Sequence, residues 1–216
     1  MSASSSCRLA VLISGRGSNM LAIAHGCQSG DIAARVVLVI ADRDATGIAA
    51  ARAQGLATAI LRPEPHQSRE EFDRRLARAI DEHAPDYLVL AGFMRILSSQ
   101  FVEHYRHRLL NIHPSLLPAL PGLHTHRRAL SERLAHHGAS VHLVTAELDA
   151  GPVLRQGRLV VSKNDTEQSL SARVQAIEHI IYPRVLAQLA SGRLQISGDR
   201  PTLDGKVLTS PPLEEF

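Results

Sequence analysis

Apolar positions along this chain fall into two alternating rhythms. Short apolar runs at residues 9–14, 35–41, 58–61, 87–91 and 109–112 have the length of strands, and the β-branched run at 35–41 suits burial on both faces. Between them, apolar residues recur three and four apart. Met20, Ile23, Ala24 and Cys27 make one such stripe, and Phe72, Leu76, Ala79, Ile80 and His83 make another. Residues 46–54 are alanine-rich and stop at Gly55. Ser68-Arg69-Glu70-Glu71 is a capping box that opens the second stripe, and Pro85 closes it. Strands alternating with helices predict an α/β protein: an open, mostly parallel, twisted sheet with helices on both faces and ligands at the carboxyl edge of its strands.

The second half continues this pattern. Residues 92–97 form an apolar loop before a short helix near 99–105. A helix is predicted at 126–136, strands at 140–145 and 154–161, and then a long helix with Leu170, Val174, Ile177, Ile181, Val185 and Leu189 in its stripe. Pro183 lies inside that helix and removes a backbone donor, so a bend is expected there. There is no internal repeat. The expected organisation is a disordered start at 1–7, one domain at 8–198, and a tail at 199–216 packed on it. Within that tail, Thr202-Leu203-Asp204-Gly205-Lys206-Val207 reads as a hairpin.

Composition narrows the function classes. The 216 residues suit one α/β domain, and 44% hydrophobic with 21% charged residues is ordinary for a globular protein. Aromatics are 3% and Trp is absent, which argues against a base-stacking nucleic-acid surface. The net charge of +3 is spread along the chain, which fits small anionic ligands better than a nucleic-acid partner. Cys7 and Cys27 make no disulfide framework, so a reducing cytoplasm is expected. No apolar run is long enough for a membrane span, and residues 1–6 lack the regions of a signal peptide. The oligomeric state is not legible.

Candidate chemistry concentrates in Asn111-Ile112-His113-Pro114-Ser115-Leu116-Leu117-Pro118. Asn111 and His113 are two apart, so at a strand end they share a face. An amide that stabilises a developing oxyanion beside an imidazole that handles a proton suits acyl transfer to an amine. Asp149, on a turn, supplies a carboxylate that would favour a charged imidazole and orient it. On spacing alone, a structural His-Pro turn and an ordinary turn aspartate remain open. Gly15-Arg16-Gly17-Ser18-Asn19 lacks the third glycine of a dinucleotide fingerprint, because residue 20 is Met. It reads either as a phosphate loop at a helix N-terminus or as a plain turn with Ser18 as N-cap, and its place after the first strand favours phosphate. His124 and His126 have no Cys, Asp or Glu nearby to complete a metal site, so no metal is expected and both read as surface or loop-packing residues. His136-His137 reads as a solvated helix end, His142 as a hydrogen-bonded strand histidine, and Glu178 as a solvated helix carboxylate.

The chain resembles the phosphoribosylglycinamide formyltransferases, the folate-dependent glycinamide ribonucleotide transformylases of purine synthesis. The resemblance runs from about Arg8 to the tail. It rests on Ile13-Ser14-Gly15 with Gly17-Ser18-Asn19, on LAGFMRIL at 90–97, LNIHPSLLP at 110–118, PGLHTHRRAL at 121–130, Ser140-Val141-His142, DAGPVL at 149–154 and RVQAIEHIIYP at 173–183. Arg16 stands where some relatives carry Asn, and Ala119 where some carry Lys. The resemblance implies a single-domain, Rossmann-like formyltransferase fold. It also implies transfer of the formyl group of 10-formyltetrahydrofolate to the amine of glycinamide ribonucleotide, with Asn111, His113 and Asp149 catalytic. It places the ribonucleotide on Gly17, Ser18, Asn19, Pro114, Gln175 and Glu178. Folate would meet Met94, Arg95, Ile96 and Leu97, then Asn111, then Thr145, Ala146, Glu147, Leu148 and Asp149, with Arg69 for its glutamate tail. The loop turn and the resemblance both point to Leu117-Pro118 as a cis bond. Two rivals are another formyl-group enzyme, whose extra domain this chain has no room for, and a phosphate-binding module, which would not need Asn111, His113 and Asp149 together.

Overall fold

The computed structural model describes residues 6–198 and 200–216. β1 (Cys7–Ile13), α1 (Ser18–Ser29), β2 (Ala34–Ala41), α2 (Thr46–Ala53) and β3 (Thr58–Ile60) build the first half-sheet. α3 (Arg69–Asp81), β4 (Tyr87–Leu90), α4 (Ser99–His104) and β5 (Leu109–His113) extend it on the other side of β1. α5 (Thr125–Ser131), β6 (His136–Leu143), β7 (Val153–Val160) and α6 (Glu167–Ala190) follow. β8 (Leu194–Ser197), β9 (Arg200–Leu203), β10 (Lys206–Val207) and β11 (Leu213–Glu215) end the chain. The main sheet has the order β11-β7-β6-β5-β4-β1-β2-β3, and only the β5–β6 and β6–β7 pairings are antiparallel. The connection order reverses at β1, between β2 and β4, which opens a crevice at the carboxyl ends of β1 and β4.

The apolar runs divide by alternate residues. Leu9, Val11 and Ile13 face a core shared with α1, α2, α5 and α6, whereas Ala10 and Leu12 face a second core under α3 and α4. On β5, Leu110 and Ile112 take the first face. Leu109 takes the second, so Asn111 and His113 lie on the α3/α4 side. The Ser68–Glu71 capping box forms as expected.

Several boundaries differ from the sequence reading. β1 takes in Cys7, the last residue of the expected disordered start; residues 1–5 lie outside the described residues. α3 stops at Asp81, leaving His83 beyond it. α5 is short, because Arg133 is left-handed at φ 52° and the ladder with β7 claims the chain from His136 on. His136-His137 is therefore a strand start, and His137 is buried. α6, by contrast, runs through Pro183 to Ala190, as the stripe ending at Leu189 predicts. The predicted hairpin is present: β9 and β10 join through Asp204 and Gly205, both at positive φ, and β8 adds a third strand. The chain then returns to the main sheet as β11, which pairs in parallel with β7 and is held by ion pairs from Arg155, Arg158 and Arg184 to Glu214 and Glu215. Leu117-Pro118 is cis.

Candidate active site

Antiparallel pairing sets Asn111 opposite His142 and His113 opposite Ser140, so four polar side chains emerge on one patch of the β5–β6 face. Loops cover this patch and leave a cavity of about 540 Å³. His142 Nδ1 donates to the Leu143 carbonyl at 2.9 Å, which leaves Nε2 to accept from Asn111 Nδ2 at 3.1 Å. Burial keeps the His142 ring below its usual titration range, so it is neutral and remains an acceptor. The Asn111 amide is thereby held in one orientation. His113 Nε2 donates to the Leu120 carbonyl at 2.9 Å, and Nδ1 faces Asp149 Oδ2 at 3.4 Å. Asp149 Oδ2 also accepts from Gly122 N at 2.9 Å.

The loop after β5 is tied down from beneath. The Ser140 hydroxyl donates to the Ser115 carbonyl at 2.6 Å and accepts from Leu117 N at 3.0 Å. Gln156 Nε2 donates to the Leu117 carbonyl and to Ser140 Oγ, at 2.8 and 2.9 Å. Leu120 (φ 53°), His124 (φ 59°) and Asp149 (φ 52°) all hold left-handed backbone around the cavity. Behind it, His126 Nδ1 lies 3.1 Å from His137 Nε2, edge to face, which corrects the reading of both as solvated or loop-packing residues.

A second cluster lies at the sheet's switch point. The turn after β1 closes on Gly17, left-handed at φ 74°, which is the N-cap of α1, so the alternative of a plain turn capped by Ser18 does not hold. Ser18 instead accepts from Gln175 Nε2 at 3.0 Å, and Asn19 Nδ2 donates to Glu178 Oε2 at 2.7 Å. Glu178 is buried, not solvated, and burial pushes its carboxyl up to about 7. The two clusters touch: Ser14 N donates to the Gly92 carbonyl, Met94 N donates to Ser14 Oγ, and Tyr182 donates to the Leu90 carbonyl.

Residues 94–97, Asn111, His113, Pro114 and residues 145–149 all line the cavity. Gly17, Ser18, Asn19, Gln175 and Glu178 assemble at the switch point. Arg69 stands apart, exposed at the start of α3 and outside the cavity lining. Arg16 and Ala119 are exposed loop residues. Sequence reasoning read His142 correctly as a hydrogen-bonded strand histidine but without its partner Asn111, and it gave Ser140 and Gln156 no role. Their common signal is the antiparallel register of β5, β6 and β7, which no local pattern reports.

An amide and a carboxylate-facing imidazole on one strand end, with a glycine turn at a helix N-terminus on the same open α/β sheet, form an arrangement suited to acyl-group transfer. A family model described as Formyl transferase matches residues 7–186, and the chain belongs to that family. It is 51% identical over 205 residues to the phosphoribosylglycinamide formyltransferase of Escherichia coli, covering 94% of this chain and 96% of that protein. The structure of phosphoribosylglycinamide formyltransferase from Coxiella burnetii superposes with a TM-score of 0.91 at 46% identity, covering 96% of this chain and 99% of that one. A formyltetrahydrofolate deformylase from Pseudomonas syringae shares the fold at 24% identity, with a TM-score of 0.84 over 92% of this chain and 66% of that one.

Proposed function

We propose that this protein is a phosphoribosylglycinamide formyltransferase that moves the formyl group of 10-formyltetrahydrofolate onto the amine of glycinamide ribonucleotide in purine biosynthesis. The observation that carries the reading is the joining of Asn111, His113 and Asp149 at the wall of one cavity whose Gly92 and Met94 hydrogen-bond to Ser14, the residue that leads from β1 into the Gly15–Asn19 turn. The turn takes the ribonucleotide phosphate on free backbone N–H groups at the positive end of α1. Gln175, Glu178 and Pro114 lie towards the glycinamide end. Folate fills the cavity between residues 94–97 and 145–149, whose exposed Met94, Ile96 and Leu148 supply apolar surface. Arg69 is the partner assigned to its glutamate tail.

In this mechanism the substrate amine attacks the formyl carbon, and the carbonyl electron pair moves to oxygen. The tetrahedral oxyanion is met by the Asn111 N–H that the bond to His142 leaves free, with the His113 ring beside it. The amine proton passes, through the His113–Asp149 pair and water, to the departing folate nitrogen as the carbon–nitrogen bond breaks. Asp149 holds the imidazole by charge. The free thiols Cys7 and Cys27 are in keeping with a cytoplasmic setting. Among the described residues no helix is long and apolar enough to cross a membrane.

The test is absorbance of the folate product on mixing protein, 10-formyltetrahydrofolate and glycinamide ribonucleotide, omitting each substrate in turn. Product formation that needs both substrates is the expected result. Folate deformylation without the ribonucleotide, at the same rate, would replace transfer by hydrolysis.

A further inference from the structure

The Gly15–Gly17 turn has one face open and the other pressed on a glycine of a different helix. Gly47 sits buried in the first turn of α2, and its N–H donates to the Gly15 carbonyl at 3.1 Å. A Cβ built on Gly47 would lie 2.7 Å from Ile13 Cδ1, 2.9 Å from the Gly15 carbonyl oxygen and 3.0 Å from the Arg16 carbonyl carbon. A Cβ on Gly17 would in turn lie 3.2 Å from the Gly47 Cα. The two backbones are thus closer than any side chain allows. By contrast, a Cβ on Gly15 would meet nothing within 4 Å.

We infer that Gly47 is a positioning residue for ribonucleotide binding: its bare backbone clamps the turn after β1 in the shape that aims the α1 N–H groups at a phosphate. The inference rests on the phosphate reading of Gly17–Asn19 given above. The Ile13 methyl can swing away from an added Cβ. The Gly15 carbonyl and Arg16 cannot, because they are the backbone of the turn itself. An alanine at 47 therefore shifts the turn by a few tenths of an ångström and weakens the hydrogen bond that pins it. The proposed folate contacts lie on residues 94–97 and 145–149, and Ser14, which holds Gly92 and Met94, precedes the turn.

The test compares the parent enzyme, Gly47→Ala, Ile13→Val, and the double variant in steady-state formyl transfer, with inorganic phosphate as a competitive probe. Ile13→Val deletes the methyl nearest the new Cβ, so the double variant regains fold stability while the backbone contacts persist. The expected result for Gly47→Ala and for the double variant is a KM for ribonucleotide raised roughly tenfold or more. The inhibition constant of phosphate should rise with it, while kcat and the KM for folate stay near the parent values. If the ribonucleotide KM returns to normal in the double variant along with its melting temperature, Gly47 is a packing position only and the inference fails. If phosphate does not compete with ribonucleotide in the parent enzyme, the phosphate reading itself fails, and the inference with it.

Discussion

Acidification acts on this fold through the His126–His137 pair. His137 is about 1% exposed, and burial, with His126 and His113 nearby, pushes its ring from the usual 6.5 down to about 4. Burial lowers His126 as well. The unfolded chain therefore binds a proton at His137 before the folded chain does, and stability falls as pH falls from about 6.5 towards about 4. The full gap is worth about 3 kcal/mol, and about 2 kcal/mol of it is lost by pH 5. In His137→Asn this contribution disappears, because an amide can face His126 without titrating. Urea unfolding of both proteins at pH 7.5, 6 and 5 measures the difference. The parent is expected to lose about 2 kcal/mol more than the variant between pH 7.5 and 5. Parallel pH dependences in the two proteins would refute the reasoning and move the acid sensitivity to other groups.

Three further outcomes are expected. Asp149→Asn keeps an acceptor for Gly122 N but removes the charge facing His113; turnover should fall on the order of 10²–10⁴-fold with a melting temperature near the parent's, and high residual turnover would leave Asp149 a turn residue. Glu178, held at about 7 against the usual 4.5, makes the folded state bind its proton more tightly than the unfolded chain, so stability falls as pH rises across that window. Glu178→Gln should therefore gain up to about 3 kcal/mol at pH 8 and little near pH 5, at the expense of ribonucleotide affinity, as read by denaturation and kinetics at both pH values. Ser140→Ala leaves Leu117 N and the Ser115 carbonyl without their partner; a loss of about 2–4 kcal/mol in urea unfolding is expected, and no loss would mean the loop re-pairs elsewhere.

Much of the fold was legible because its strands are buried on both faces. Residues 9–13 and 36–41 are apolar throughout, and only central strands of a two-faced sheet need that. The Asn111/His113 pair was legible for the same local reason, the two-residue repeat of a strand. What failed was set by distant pairing. Nothing around residues 126–136 stops a helix, since neither Gly nor Pro is present; the ladder with β7 decides that His136 starts a strand. His142 looks like any strand histidine until β6 is laid antiparallel on β5 and its ring meets Asn111. Glu178 follows the stripe residue Ile177 and read as solvated, yet α1 packs across it and Asn19 binds it. The family resemblance supplied the folate segments, which periodicity alone would have left as loops.

The left-handed residues around the cavity bear on how this protein would respond to selection for heat resistance. Leu120 and His124 each hold a conformation that costs L-residues on the order of 1 kcal/mol. Leu120 also lends its carbonyl to His113, so this strain lies within the support of the imidazole. His124 is exposed, and glycine there relieves the cost with no loss of packing. A library screened only for survival on heating would enrich glycine or asparagine at 124. Each such winner would loosen the segment that carries the Leu120 acceptor. Thermal tolerance and turnover are thereby set against each other at a few loop positions, while the sheet beneath can be stabilised freely.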